Sequence, residues 1–213
     1  MIRLFVALTL PENVRQGLSF LCGGVPGARW QRPDQMHLTL RFIGEIDEGT
    51  AGDVVEALES VTMDPFPLAV QGVGAFGEKR RSHVLWAGLK PEPELLRLQA
   101  KIETALIRVG LEPERRKYQP HVTLARLNQT SEAKVVEFLS AHGGFSLPPF
   151  MVEGFALYSS FRSHGGAIYR PEESFALGGY DFGDEDEGYD DDHAEDEHGH
   201  HEDARTPFWA DAG

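Results

Sequence analysis

His37-Leu38-Thr39-Leu40-Arg41-Phe42 and His121-Val122-Thr123-Leu124-Ala125-Arg126 are two copies of one pattern, and how they read decides the architecture. Each falls in a run with strand character, Met36–Ile43 and His121–Leu127. Successive side chains of a strand point to opposite faces, so His and Thr at i and i+2 share one face while the intervening aliphatic residues share the other. Each copy therefore anchors itself in a core through Leu38 and Leu40, or Val122 and Leu124, and presents an imidazole and a hydroxyl on its free face. If a pseudo-twofold axis relates the copies, those faces meet in a cleft walled by two histidines and two threonines.

The rest of the chain supports a duplicated arrangement. Ile2–Leu8 reads as a buried strand, and Pro11 opens a helix near residues 11–22. Thr50 is a candidate N-cap for a helix near 50–61. Strands are expected over Leu68–Phe76 and His83–Leu89, with the basic turn Gly77-Glu78-Lys79-Arg80-Arg81 between them. Leu95, Leu98, Ile102, Ala105 and Val109 recur at helical spacing, Ser131 caps a helix to about residue 141, and two last strands span roughly 150–158 and 166–177. The order predicts an α+β class, a two-lobed duplicated sheet-and-helix fold dividing near residue 90, with a central cleft carrying the two His-x-Thr-x strands.

Composition sets limits. The chain has 213 residues and a net charge of −14, but residues 181–213 hold 14 of the 34 acids and only Arg205 among the 20 bases. The first 180 residues carry 20 acids against 19 bases, so their charge does not exclude a phosphate-bearing ligand. A single cysteine, Cys22, cannot form an internal disulfide and fits a reducing compartment. The N-terminal apolar run is broken by Arg3 and ends at Pro11, unlike a signal peptide, and no run reaches the ~18 apolar residues of a membrane helix. A cytoplasmic monomer that does not enter membranes is expected.

The motif residues suit displacement at phosphorus. An unperturbed imidazole pKa of about 6.5 lets one histidine take a proton from water while the other, charged, gives one to a departing oxygen. The threonine hydroxyls can donate to non-bridging oxygens. Neither histidine has an Asp, Glu or His at i+2 or i+4 to complete a metal shell, which disfavours a metalloenzyme, so no metal or other cofactor is expected. A non-catalytic nucleotide- or RNA-binding module of the same fold is the alternative, and retention of both histidines speaks against it. His83, His142 and His164 lie outside the motif, and Lys79-Arg80-Arg81 and Arg115-Arg116-Lys117 are solvated turns or steering charges at a cleft mouth.

The sequence resembles the 2H phosphoesterase family, in particular its RNA 2',3'-cyclic phosphodiesterase (LigT-like) branch. The resemblance rests on residues 29–45, on Pro120–Arg126, and on a closing hairpin with Leu157-Tyr158-Ser159-Ser160 and Gly166-Ala167-Ile168-Tyr169, and covers about residues 1–178. It implies a two-lobed fold with a central cleft and an RNA or nucleotide substrate ending in a 2',3'-cyclic phosphate. Hydrolysis would leave a 2'-phosphomonoester, with reverse 2'-5' ligation as a further expectation. It implies His37 as proton donor and His121 as proton acceptor, supported by Thr39 and Thr123. Phe42 and Arg126, each five residues beyond a histidine, are implied to stack on the base and to approach the phosphate or ribose. Strict alternation puts both on the wrong face, so a bulge or a strand end must re-aim them; plain core packing is the other reading of Phe42. Alternation instead puts Arg41 on the histidine face, as a second candidate cation. Ser159 stands where relatives often carry arginine, which implies weaker contact with the RNA backbone.

Residues 1–180 are thus expected to form the phosphoesterase domain and residues 181–213 an acidic, His-rich disordered tail. His193, His198, His200 and His201 could hold a transition metal weakly within what reads as a solubilising segment. Deleting 181–213 is expected to leave turnover of a small cyclic nucleotide unchanged and to strengthen binding of longer RNA. The gain should shrink as salt rises, because the Debye length is about 8–10 Å near physiological ionic strength. Binding of an oligomer across a salt series measures it, and equal affinities at low salt would refute it.

Overall fold

A computed structural model of the chain describes residues 1–78, 81–163 and 166–178. The acidic tail, His164 and the Lys79-Arg80 turn lie outside the described residues, and the elements fall within Met1–Gly179. They run β1 (Ile2–Thr9), α1 (Glu12–Ser19), β2 (Ala28–Trp30), β3 (His37–Ile46), α2 (Glu48–Glu59), β4 (Phe66–Leu68), β5 (Val70–Glu78), β6 (Arg81–Leu89), α3 (Pro93–Arg108), β7 (His121–Leu127), α4 (Glu132–His142), β8 (Phe150–Val152), β9 (Gly154–Ser163) and β10 (Gly166–Ala176). The mixed α+β class is as the sequence predicts. Among the described residues no helix is long and apolar enough to cross a membrane.

One antiparallel sheet carries the molecule, in the order β10-β9-β1-β3-β7-β6-β5, with β2 on β7 and a separate β4-β8 pair. The division near residue 90 is only half right. The closing hairpin β9-β10 returns to β1, so the first half of the sheet is completed by strands from residues 154–176. Helix α3 likewise packs on β3, and α2 on α3. Strand β9 thereby covers the edge of β1 that β3 leaves open, along the apolar Leu4–Ala7 stretch.

Helix α2 starts earlier than expected. Asp47 is its N-cap, and its carboxylate accepts the backbone N–H of Thr50 at 3.0 Å and the Thr50 hydroxyl at 2.9 Å. A short side chain at Asp47 serves the exposed N–H groups better than Thr50, which sits in the first turn.

The two motif strands meet at one rung. Leu38 pairs with Val122, the second residue of each tetrapeptide, and both are fully buried. Continuing that antiparallel register sets His37 across from Thr123 and Thr39 across from His121, all four on the face away from Leu38 and Val122. The pseudo-twofold axis thus passes through the motif itself.

Candidate active site

Both motif strands break their alternation at the same place. The register of β3 on β1 slips between Thr39 and Arg41, leaving Leu40 as an extra residue, and that of β7 on β6 slips between Thr123 and Ala125, leaving Leu124 extra. The burial of both strands follows: Leu40 and Arg41 are buried in succession, as are Leu124 and Ala125, and the next residue is exposed. The bulges at Leu40 and Leu124 turn the sixth position of each pattern toward the histidines, and β3 slips once more against β1 at Ile43. Phe42 and Arg126 therefore stand with His37, Thr39, His121 and Thr123 around one cavity of about 530 Å³.

The same bulge sends Arg41 the other way, which corrects the expectation that it shares the histidine face. Its side chain is 8% exposed, pairs with Glu103 of α3, and donates to the carbonyls of Phe42 and Glu112. Glu103 also accepts the backbone N–H of Glu114 at 2.8 Å. Arg41 clamps the bulge to the α3–β7 connection and supplies no charge to the cavity with both histidines. Ser159 is buried behind its strand and donates to Glu172, while Tyr158 and Ser160 face the site.

The imidazoles are held alike. Nδ1 of His37 lies 2.8 Å from the Gln35 carbonyl, and Nδ1 of His121 lies 2.8 Å from the Gln119 carbonyl. A carbonyl can only accept, so Nδ1 carries the proton in both rings and Nε2 is left for chemistry. Gln35 does more: its amide donates to the Ala167 carbonyl at 2.6 Å, tying β10 to the His37 loop.

Their surroundings differ. His37 lies 4.9 Å from the Phe5 ring and 5.0 Å from Tyr169, with Tyr158 behind and bonded to the Thr9 hydroxyl at 2.5 Å. His121 meets Phe76 edge-on at 4.8 Å, with Trp86 at 6.4 Å. Trp86 lies across Gly74, where an added Cβ would stand 2.1 Å from the indole, so only glycine admits this wall. Burial pushes His37 down to about 4, opposed by the bond to Gln35 and assisted by repulsion from His121. Burial lowers His121 as well. Both rings are neutral near pH 7 in the free protein.

That has a measurable sign. A histidine with a folded pKa near 4 and an unfolded value near 6.5 costs stability as pH falls through this interval, because only the unfolded chain takes the proton. The loss by pH 4 is up to about 3 kcal/mol. Denaturant titrations from pH 7 to 4 should show a steeper decline for wild type than for His37→Asn, and parallel declines would refute it.

The sequence did not single out Phe5, Phe76, Trp86 or Arg3, which also contribute to these walls. Phe5 and Trp86 lie opposite Phe42 and Thr123 in the ladders, a pairing that only the fold sets. Cys22, its thiol pushed up to about 11 by burial, is far from a reactive thiolate. Among the described residues no group of three His, Cys, Asp or Glu could hold a metal. His142 packs on Phe138 at the end of α4.

A family model described as LigT like phosphoesterase matches residues 8–86 and 88–169. An RNA 2',3'-cyclic phosphodiesterase of Archaeoglobus fulgidus is 30% identical over 171 residues, covering 79% of this chain and 96% of that protein. One from Aeropyrum pernix is 33% identical over 149 residues, 69% of this chain and 84% of the relative. Among solved structures, TT0787 of Thermus thermophilus superposes with a TM-score of 0.70 at 27% identity, covering 83% of this chain and 98% of that one. E. coli LigT complexed with 3'-AMP gives 0.67 at 27% identity, with the same coverage.

Proposed function

This chain belongs to the LigT-like phosphoesterase family, and on that premise we propose that it hydrolyses the 2',3'-cyclic phosphate at RNA 3' ends to a 2'-phosphomonoester. The observation that carries the reading is the single rung Leu38–Val122, which brings two oppositely directed His-x-Thr strands to one cavity with Arg126 at its wall. Two Nε2 atoms on opposite sides of a bound phosphorus are what an in-line displacement needs.

In this mechanism Nε2 of His121 takes a proton from water as its oxygen bonds to phosphorus. The bond from phosphorus to the 3'-oxygen breaks, and Nε2–H of His37 gives its proton to that oxygen. The phosphate stays on the 2'-oxygen, and the two rings exchange protons with solvent to reset. Thr39, Thr123 and Arg126 donate to the non-bridging oxygens as their charge rises. Burial keeps His37 neutral in the free protein, so its proton is taken up as the anionic phosphate arrives, because a nearby negative charge favours the imidazolium. Phe42, 57% exposed at the cavity rim, offers a face to a base. No metal or other cofactor enters this scheme. A monomeric state, a cytoplasmic setting and reverse 2'-5' ligation are parts of the same proposal.

The test is to give purified protein a 2',3'-cyclic nucleotide and a cyclic-ended oligomer in the presence of chelator, and to identify the product isomer by phosphorus NMR. The 2'-phosphomonoester is expected with both. A 3'-phosphomonoester would reverse the assignment of the leaving oxygen, and loss of turnover with chelator would overturn the metal-free scheme.

A further inference from the structure

A second cavity, of about 510 Å³, adjoins the first and shares Thr39, Phe42 and His121 with it. We propose that it is a subsite for the nucleotide immediately 5' of the one bearing the cyclic phosphate, so that the site favours oligoribonucleotide ends over mononucleotides. The proposal rests on the phosphodiesterase reading above.

Three observations carry it. The two cavities are nearly equal in volume, each within the ~300–1,000 Å³ of small-ligand pockets, and they join at the residues that flank the reacting phosphate. Two adjacent nucleotides are the natural filling for two such compartments. The second cavity is also lined by three rings, Phe42, Phe76 and Tyr118, the last donating its hydroxyl to the Thr39 carbonyl at 3.2 Å. Phe42 borders both compartments and can contact a base in either. Single-stranded RNA is bound this way, bases on aromatic faces and phosphates toward cations, with little sequence preference.

The charges complete the case. Five ionisable side chains besides His121 and Tyr118 line this cavity. Arg41 neutralises Glu103, and Arg116 pairs with Glu114 at 3.3 Å. Lys117 is left with no ion-pair partner among the described residues, exposed on the same wall. One unbalanced ammonium beside an apolar, ring-lined pocket is the complement of a nucleotide with its bridging phosphate.

The experiment compares a 2',3'-cyclic mononucleotide with a dinucleotide ending in the same cyclic phosphate, on wild type and Lys117→Gln at low and physiological salt. Lys117 is exposed and outside the reacting groups, so the fold and mononucleotide turnover should not change. Wild type is expected to favour the dinucleotide by roughly tenfold or more in kcat/KM, the effect of one stacked base. Lys117→Gln should lower the dinucleotide value about three- to tenfold at low salt and flatten its salt dependence. Equal kcat/KM for the two substrates on wild type, or equal losses on both in the variant, would overturn the subsite while leaving the hydrolase standing. If wild type opens neither substrate, the hydrolase reading falls and the subsite falls with it.

Discussion

Replacing either His37 or His121 with alanine is expected to lower kcat by about 10²–10⁴ while the fold is retained, since in the proposed mechanism each ring transfers a proton during the displacement. Thr39→Ala and Thr123→Ala should cost far less, because a neutral hydrogen bond contributes only about 0.5–1.5 kcal/mol. The two histidines are held so alike that their rates alone cannot tell acid from base. A substrate with sulfur in place of the 3'-bridging oxygen can. A thiolate departs without protonation, so the defect of His37→Ala should largely vanish on that substrate and the defect of His121→Ala should persist. Rescue of the His121 variant instead would exchange the two roles. Near-wild-type turnover by either variant on the oxygen substrate would end the assignment.

The second large effect separates two arginines that the sequence placed side by side. Arg41→Ala leaves the Glu103 carboxylate, 18% exposed, without its partner, and removes donors from the Phe42 and Glu112 carbonyls. Breaking a buried pair from one side costs about 3–5 kcal/mol. For a chain of this size that lowers Tm by roughly 6–20 °C. Arg41→Met with Glu103→Leu should recover much of the loss, as apolar replacement of both partners does in other buried pairs. Arg126→Ala is exposed and should change stability by no more than about 0.5 kcal/mol. Its kcat/KM should nevertheless fall about 10- to 150-fold, the worth of a charge-assisted bond to phosphate. A wild-type Tm for Arg41→Ala, with a raised KM, would show that alternation rather than the bulge locates the cation.

Those arginines also mark where the sequence stops being readable. The tetrapeptides were legible because period-two alternation fixes the faces of residues 37–40 and 121–124 without knowledge of neighbours. The slip after Leu40 and Leu124 is a property of the ladder with β1 and β6, and no residue in either strand signals it locally. Family resemblance pointed to Phe42 and Arg126, and the bulge supplies the physical reason. The hairpin β9-β10 was legible as two strands, but not its destination beside β1, because pairing across so long a separation depends on which edges remain free. The rings around His37 were missed for the same reason: Phe5, Tyr158 and Tyr169 come from three strands that only the fold assembles.

The return of β9 to β1 governs how the chain can be made. Thr9 and Tyr158, joined in the finished protein, are 149 residues apart. At about 5–20 residues per second, the ribosome needs on the order of ten to thirty seconds to deliver that partner. Throughout this interval β1 can pair with β3 on one side only, and Phe5 and Ala7 lack the Ala156 and Tyr158 side chains that cover them. The nascent protein therefore carries an open, apolar strand edge through most of its synthesis, the kind of surface on which chains join one another. Conditions that lengthen this interval should raise the share of chains lost to association.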